Sequence, residues 1–271
     1  MTVAQEQAAT GSKLSIKQLA EFEETGLLHL PGAIADADTL AMRERLWQAL
    51  EQHHQILRDA PETWAAGRIS KLQEVEKAGA FAPMASPVVL DALDCLFGSG
   101  QWSQPPRWGS PLVTLPMAGA QWQVPHQHWH VDLDVDPSER APRSVIVFAF
   151  LESIGPGGGG TAAVTGSHQL LRRLAGSKGN AAPVRSADAR RLLARSGPWA
   201  RGLWSENPAT DRVRRLMHQG AVLDGIPLRV REIASTAGDV VVMHPCVLHA
   251  PAMNCGSTPR LTLRQPILRN Q

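Results

Sequence analysis

The sequence predicts a mainly β fold with helical additions, built on a double-stranded β-helix (jelly roll) core. After Pro105 and Pro106 the chain becomes a series of short runs rich in apolar and β-branched residues, separated by Gly and Pro. We expect strands over residues 112–115, 120–124, 144–151, 228–233, 239–243 and 260–267. Many short strands with this punctuation are typical of a jelly roll, in which a functional site lies between two sheets.

The chain before these runs has a helical pattern. Ser15 and Gln18 have the spacing of a capping box, which predicts that a helix begins there. Gly26 is a suitable left-handed residue to end that helix, and residues 27–30 then form a short apolar run. A second helix is expected over about 39–57, because apolar residues recur there at helical spacing.

A length of 271 residues with 43% hydrophobic residues is enough for one domain with a substantial core. We predict a flexible tail over residues 1–13 and a single domain over 14–271. Within that domain we expect an N-terminal helical part over about 14–105. We also expect an arginine-rich helical insertion over about 168–228, where the β pattern breaks.

The charge of this insertion leaves two interpretations open. Residues 183–231 hold ten arginines, no lysine and four acidic residues, which gives the stretch a formal charge of +6. The favoured interpretation is a set of solvated helices with local ion pairs. The other interpretation is a lid whose arginines meet an anionic substrate.

Composition argues against several classes of partner. The formal net charge is +2, and no basic run with interleaved aromatic residues predicts nucleic-acid binding. The apolar runs are too short to span a bilayer, and residues 1–13 show no secretory signal. Cys95, Cys246 and Cys255 are odd in number and form no C-x-x-C pair, which is typical of reduced thiols in a cytoplasmic protein. We therefore expect a small-molecule substrate and no membrane or nucleic-acid partner.

The most informative motif is His130-Val131-Asp132, followed much later by His249 and then by Arg260. Side chains alternate along a strand, so an H-x-D pair on a strand places both side chains on one face. Two imidazole nitrogens and one carboxylate oxygen then occupy three corners of an octahedral metal, the arrangement of non-haem Fe(II) oxygenases. Arg260 follows His249 by eleven residues, and its planar charged fork suits a carboxylate in the same cavity.

The choice of ligands has alternatives. Six residues share one parity, so a regular strand would present all of them on one face: His126, His128, His130, Asp132, Asp134 and Asp136. An H-x-H pair with a later acid would match a cupin metal site, with no keto-acid co-substrate. The distal ligand could be His244 or His249; Pro245 favours the latter, because it ends the strand at His244.

The ordered motifs resemble the phytanoyl-CoA dioxygenase (PhyH) family of Fe(II)- and 2-oxoglutarate-dependent oxygenases. The matching stretches are residues 129–132, residues 157–168, and residues 238–245 with their continuation to His249 and Arg260. The resemblance implies that His130, Asp132 and His249 hold Fe(II) and that Arg260 binds the distal carboxylate of 2-oxoglutarate. It also implies that the enzyme consumes O2, releases succinate and CO2, and hydroxylates a small organic molecule. The lid interpretation of residues 183–231 would favour an anionic substrate.

Three further points follow from the resemblance. Phe148 and Thr161 are expected beside the co-substrate, although Phe148 is at least as well explained as a core residue. Asp132 stands where related halogenases have a small residue, which predicts a chloride-free oxidation. Pro251 replaces the small hydroxylated residue that the family usually has two positions after the distal His, so part of the co-substrate pocket must differ. Two other hypotheses stay open: a cupin-like metalloenzyme, and a non-catalytic sensor of 2-oxoglutarate or metal.

Overall fold

The computed structural model describes residues 14–64, 69, 72–139, 141–177, 182–206 and 210–270. The tail predicted over residues 1–13 lies outside this part of the chain. The described strands are β1 (Leu27–Leu30), β2 (Ser110–Thr114), β3 (Ser144–Phe150), β4 (Thr161–Thr165), β5 (Ala221–Leu223), β6 (Ile226–Ile233), β7 (Val240–Met243), β8 (His249–Pro251) and β9 (Arg260–Leu268). They form two antiparallel sheets, of order β1-β7-β3-β9-β2 and β5-β6-β4-β8.

The helices are α1 (Ile16–Thr25), α2 (Asp36–His54), α3 (Gln73–Lys77), α4 (Pro87–Phe97), α5 (Ser167–Gly176), α6 (Ser186–Ala194), α7 (Pro198–Arg201) and α8 (Thr210–Arg212). Short 3-10 turns occur at Pro61–Thr63, Ala82–Met84 and Gly202–Trp204, and a π-helix covers Val213–Gln219. In the described residues the helices hold more of the chain than the strands do. The two-sheet prediction is thus matched, but the helical part is larger than the sequence suggested.

The start of the chain confirms the predicted capping signals. The Ser15 hydroxyl accepts a hydrogen bond from the Gln18 amide at 3.2 Å, and the Gln18 side chain accepts one from the Ser15 amide at 3.0 Å. Gly26 ends α1 in the left-handed region, with φ of 75°. A side chain at Gly26 would also collide with Val247, since a Cβ there would lie 2.3 Å from its Cγ2. The predicted strand over Leu27–Leu30 follows directly as β1.

The first sheet is buried on both faces, as the continuous apolar run of β3 shows. Val145, Val147 and Ala149 pack outward in one core cluster with residues of α1, α2 and α4. Ile146, Phe148 and Phe150 point the other way, into an apolar cluster that also contains Ala163 and Ile233 of the second sheet. The space between the sheets is therefore a closed apolar layer around these residues.

The helical insertion covers the outer face of the second sheet. One apolar cluster joins Val164 of β4 and Leu248 to residues of α5, α6 and α7. The local ion pairs expected for the insertion are present: Arg185 and Arg191 each contact Asp188, and Arg214 and Arg215 each contact Asp211. The interpretation as solvated helices with local pairs is supported for these four arginines, and the lid interpretation stays a prediction.

Arg212 attaches the insertion to the chain that leads into the H-x-D motif. Its guanidinium is buried and donates to the carbonyls of Val124 (2.7 Å), Pro125 (2.9 Å) and Leu203 (2.9 Å). The Trp129 indole N–H donates to the carbonyls of Pro125 and Leu203 as well. Burial lowers the pKa of Arg212, and these bonds compensate for the desolvation of its charge.

Asp239 joins the end of β1 to the start of β7. It accepts hydrogen bonds from the Gly32 amide (2.8 Å), the Ser235 hydroxyl (2.6 Å) and the Thr236 amide (3.1 Å), and its Oδ2 lies 3.0 Å from Nε2 of His29. Burial alone would raise the pKa of Asp239, but these hydrogen bonds together hold it well below the usual range.

One expectation about local structure is wrong, and a second is confirmed with different bounds. Residues 120–124 form no strand, because the chain turns just before them: the Ala120 amide donates to the Met117 carbonyl, and Gly119 is left-handed. The helix expected over 39–57 begins earlier, at Asp36, and ends at His54, where Gln55 adopts a left-handed conformation.

The three cysteines are free thiols. No helix in the described ranges has the length and apolar character needed to cross a membrane.

Candidate metal centre

The structure brings His130, Asp132 and His249 together. The His130 and His249 backbones exchange two hydrogen bonds of 2.9 Å, which form one antiparallel bridge at the start of β8. The two imidazole rings are consequently 4.1 Å apart between centroids. One potential ligand atom from each of the three residues lies within 4.8 Å of the other two, close enough to share an ion.

The H-x-D segment is not the regular strand that the parity argument assumed. His128 has φ of 60°, so the alternation of side chains breaks two residues before His130. This left-handed turn directs the His128 carbonyl to Nδ1 of His130 at 2.8 Å. His126 and His128 are not part of the His–Asp–His group. The cupin-like alternative thus finds no support in the described residues.

Hydrogen bonds fix the tautomer of both imidazoles. A carbonyl oxygen only accepts, so Nδ1 of His130 must donate to His128, and Nδ1 of His249 must donate to the Val247 carbonyl at 3.0 Å. Each ring then keeps the lone pair on Nε2, the nitrogen that faces the carboxylate of Asp132. Histidines that ligate metals usually donate their other N–H in this way.

His249 is held rigidly in a neutral form. Its side chain is 7% exposed, and burial, followed by repulsion from His130, lowers the pKa of His249 to about 4. The Leu248 amide donates to the Ser167 hydroxyl at 2.8 Å, and that hydroxyl donates to the Val164 carbonyl at 2.6 Å. The hydroxyl of Ser167 therefore links the strand before α5 to the residue that precedes the distal histidine. The N-cap of α5 is Gly166.

Asp132 has two oxygens in different surroundings. Oδ1 lies 2.9 Å from Nη2 of Arg264 and 3.9 Å from Nε2 of His130. Oδ2 lies 3.7 Å from Nε2 of His249, and it is buried with no hydrogen-bond donor. A buried carboxylate oxygen without a donor is costly, and a cation would remove that cost. Two imidazole lone pairs and one such oxygen fit a divalent transition metal.

Arg260 lies at the start of β9 with its guanidinium buried. It donates to the Gly159 carbonyl (2.8 Å) and to the hydroxyls of Thr161 and Thr262 (3.2 Å each). All three acceptors are neutral, and burial lowers the pKa of Arg260 to about 10. The guanidinium of Arg260 stays protonated at neutral pH. It is therefore a desolvated cation that can still bind an anion.

The glycine-rich loop before β4 is organised by Glu232. Its carboxylate accepts from the amides of Gly157 (2.7 Å) and Gly160 (3.0 Å), and burial raises its pKa. A Cβ at Gly160 would lie 2.4 Å from the Ile233 carbonyl oxygen, so β6 approaches too closely for any side chain. The loop thereby presents the Gly159 carbonyl to Arg260.

The remaining predicted residues are placed as follows. The hydroxyl of Thr161 contacts Arg260 directly. Phe148 is buried between the sheets, where its Cα pairs with that of Arg264 rather than with that of Arg260. His244 follows the last residue of β7, and its ring lies 4.8 Å from that of His168, apart from the three grouped side chains.

Arg264 is the site residue that the sequence analysis did not select. Its guanidinium contacts Asp132. The signal was present, because Arg260 and Arg264 have the same parity on one strand and therefore point to one face.

Solved structures with the same fold are similar to the chain over nearly its whole length. HygX from Streptomyces hygroscopicus, solved with nickel and 2-oxoglutarate, is 16% identical, with a TM-score of 0.56 over 95% of this chain and 88% of that one. The alpha-ketoglutarate-dependent carbocyclase SnoK from nogalamycin biosynthesis is also 16% identical, with a TM-score of 0.56 over 96% and 86%. AviO1 from Streptomyces viridochromogenes Tue57 is 14% identical, with a TM-score of 0.52 over 96% of each chain.

At these identities the likeness shows a shared fold. No protein-family model matches the chain, and no curated protein matches it. Membership of the phytanoyl-CoA dioxygenase family accordingly stays a prediction.

Proposed function

We propose that this chain is an Fe(II)- and 2-oxoglutarate-dependent oxygenase with a jelly-roll core that oxidises a small organic molecule. The observation that carries the proposal is the His130, Asp132 and His249 group together with the buried Arg260. Arg260 lies on the same strand and the same face as Arg264, whose guanidinium contacts Asp132. The shared fold supports it, since HygX was solved with 2-oxoglutarate and SnoK is named as alpha-ketoglutarate-dependent.

The three side chains would hold the metal through Nε2 of each histidine and Oδ2 of Asp132. Bound iron together with 2-oxoglutarate and O2 supplies the oxidising chemistry, with succinate and CO2 as by-products. The residues of the chain contribute fixed ligand directions, because His128 and Val247 set the two ring orientations. They also provide a neutral His249, so no proton competes for its lone pair near neutral pH.

Arg260 would pair with the distal carboxylate of 2-oxoglutarate. Its side chain is already held by Gly159, Thr161 and Thr262, so little side-chain entropy is lost on binding. Its direct acceptors are all neutral, and the nearby carboxylate of Glu232 offsets part of its positive charge, so an anion would add a direct charge partner. Thr161 would then line the same part of the pocket.

Access to the centre is asymmetric. The side chain of His130 is 51% exposed, whereas those of Asp132 and His249 are 16% and 7% exposed. A substrate would therefore approach from the side of His130, and the apolar layer behind the other two ligands would limit water. We propose hydroxylation as the outcome. The carbocyclase SnoK and the epimerase SnoN are enzymes on the same fold with other outcomes, so the outcome depends on how the substrate lies.

Succinate formation tests the proposal. The protein is incubated with Fe(II), ascorbate, O2 and 2-oxoglutarate, and succinate is measured against an Asp132→Ala variant. We expect slow succinate release even without substrate, and none above background in the variant. A protein that binds 2-oxoglutarate but forms no succinate with any metabolite extract would be a sensor. A protein that binds metal but no 2-oxoglutarate would favour the cupin-like alternative.

A further inference from the structure

Arg264 extends from the inner face of β9 towards the metal centre. It lies on the same face of β9 as Arg260 and Thr262, because every second residue of a strand points to the same side. Its Cα pairs with that of Phe148 on β3. The side chain is 30% exposed, and its Nη2 lies 2.9 Å from Oδ1 of Asp132, which is itself 16% exposed. This is a close, charge-assisted contact between a partly buried candidate ligand and a cation that reaches it from β9.

The contact makes the two oxygens of Asp132 inequivalent. Arg264 engages Oδ1, while Oδ2 has no donor and lies 3.7 Å from Nε2 of His249. A carboxylate that ligates a metal through one oxygen has a second oxygen that needs a hydrogen-bond partner. Contacts within the chain alone therefore make the two oxygens inequivalent, since Arg264 engages one of them and the other has no donor.

We propose that Arg264 is a positioning residue that keeps Asp132 a one-oxygen ligand, with Oδ2 directed at the metal. The proposal rests on the proposed function. An octahedral metal with two histidines and one carboxylate oxygen has three open positions, which 2-oxoglutarate (two) and O2 (one) fill. If Asp132 chelated through both oxygens, one of those positions would be lost. Arg264 thereby preserves the open coordination that the reaction needs.

Metal affinity, measured without turnover, tests the role of Arg264. Metal-free wild type, Arg264→Met and Arg264→Lys are titrated with Mn(II), and the free ion is followed by its electron paramagnetic resonance signal. The matched control is Arg229→Met, an exposed strand arginine on β6. We expect Mn(II) binding to weaken by about 10- to 100-fold in Arg264→Met, the usual effect of removing a partner behind a metal ligand. Arg264→Lys should recover part of the loss, and the control should stay within about twofold of wild type.

The outcomes separate this proposal from its rivals. Unchanged or tighter Mn(II) binding in Arg264→Met overturns it, because the dominant effect of Arg264 would then be repulsion of the cation. Normal 2-oxoglutarate affinity in the Mn(II)-loaded Arg264→Met variant also overturns it, because a second oxygen of Asp132 on the metal would take one of the positions that 2-oxoglutarate needs. If Arg264→Met does not fold, as judged by circular dichroism, Arg264→Gln carries the same comparison. Failure of the proposed function looks different: wild type binds no Mn(II), or Asp132→Ala binds it as well as wild type.

Discussion

Replacement of Arg260 by glutamine should weaken the binding of 2-oxoglutarate strongly while it leaves metal affinity and the stability of the protein nearly unchanged. Arg260 is 5% exposed, and its three acceptors are the Gly159 carbonyl and the hydroxyls of Thr161 and Thr262. None of these carries a charge, and the carboxylate of Glu232 stabilises the cation without being one of these acceptors, so we expect the ligand to be the direct charge partner of Arg260. Loss of one member of a desolvated charge pair costs about 2–5 kcal/mol. At about 1.4 kcal/mol per decade, 2-oxoglutarate should bind about 30-fold to several thousand-fold more weakly.

The same change should lower the free energy of unfolding of the protein without 2-oxoglutarate only slightly. Removing Arg260 leaves the Gly159 carbonyl without its donor, at a cost of about 1–3 kcal/mol. It also removes a buried cation, which offsets part of that cost, and the two threonine hydroxyls can rotate to other partners. We therefore expect a small decrease in the free energy of unfolding of Arg260→Gln, together with a large loss of 2-oxoglutarate affinity.

Calorimetric titration of 2-oxoglutarate into Ni(II)-loaded protein measures the affinity under conditions without turnover. Thermal unfolding with and without 2-oxoglutarate provides a second readout, since a ligand at 100 times its Kd stabilises by about 2.7 kcal/mol. That stabilisation should disappear in Arg260→Gln while Ni(II) affinity remains. Wild-type 2-oxoglutarate affinity in Arg260→Gln, with a loss in Arg264→Gln, would show that the arginine was wrongly assigned.

Three further predictions concern the metal ligands and the stability of the fold. Asp132→Ala and His249→Ala should each abolish succinate formation, because two remaining ligands cannot hold Fe(II); full activity in either variant would move the metal elsewhere. Asp239→Asn should lower the free energy of unfolding by about 1–3 kcal/mol at pH 7. The pKa of Asp239 is depressed by folding, so its stabilisation is present above about pH 4 and fades below it. Urea unfolding should therefore show a smaller difference in free energy of unfolding between wild type and Asp239→Asn at pH 3.5 than at pH 7. A difference that widens in acid would contradict this. Arg212→Met should cost about 2–4 kcal/mol in urea unfolding, because three carbonyls lose a charged donor, whereas the exposed Arg214→Met should cost under about 0.5 kcal/mol.

The sequence predicted those features that depend on periodicity and spacing. The capping box at Ser15 and the strand over 144–150 follow from local patterns, and both are present. The approach of His130 to His249 required only that two distant segments of the chain meet, which the order of motifs implied. The same parity rule that placed Arg260 on the inner face of β9 also applied to Arg264.

Other features depended on backbone conformations and contacts that periodicity does not encode. A left-handed His128 is rare for a residue with a side chain, so parity across 126–136 failed there. The contact of Arg264 with Asp132 joins residues far apart in sequence. Arg212 was one of ten arginines in a charged stretch, and only the fold shows that it is buried on backbone carbonyls.

An anaerobic titration of the Fe(II)-loaded protein with 2-oxoglutarate tests the central claim most directly. Chelation of iron by the keto acid produces a visible charge-transfer band, which reports metal and co-substrate in one complex. The band should grow to one equivalent of 2-oxoglutarate in wild type, require far more in Arg260→Gln, and be absent in Asp132→Ala. A wild-type protein that binds Fe(II) but develops no band, or a band that survives unchanged in Asp132→Ala, would contradict the assignment of His130, Asp132 and His249 as the iron site.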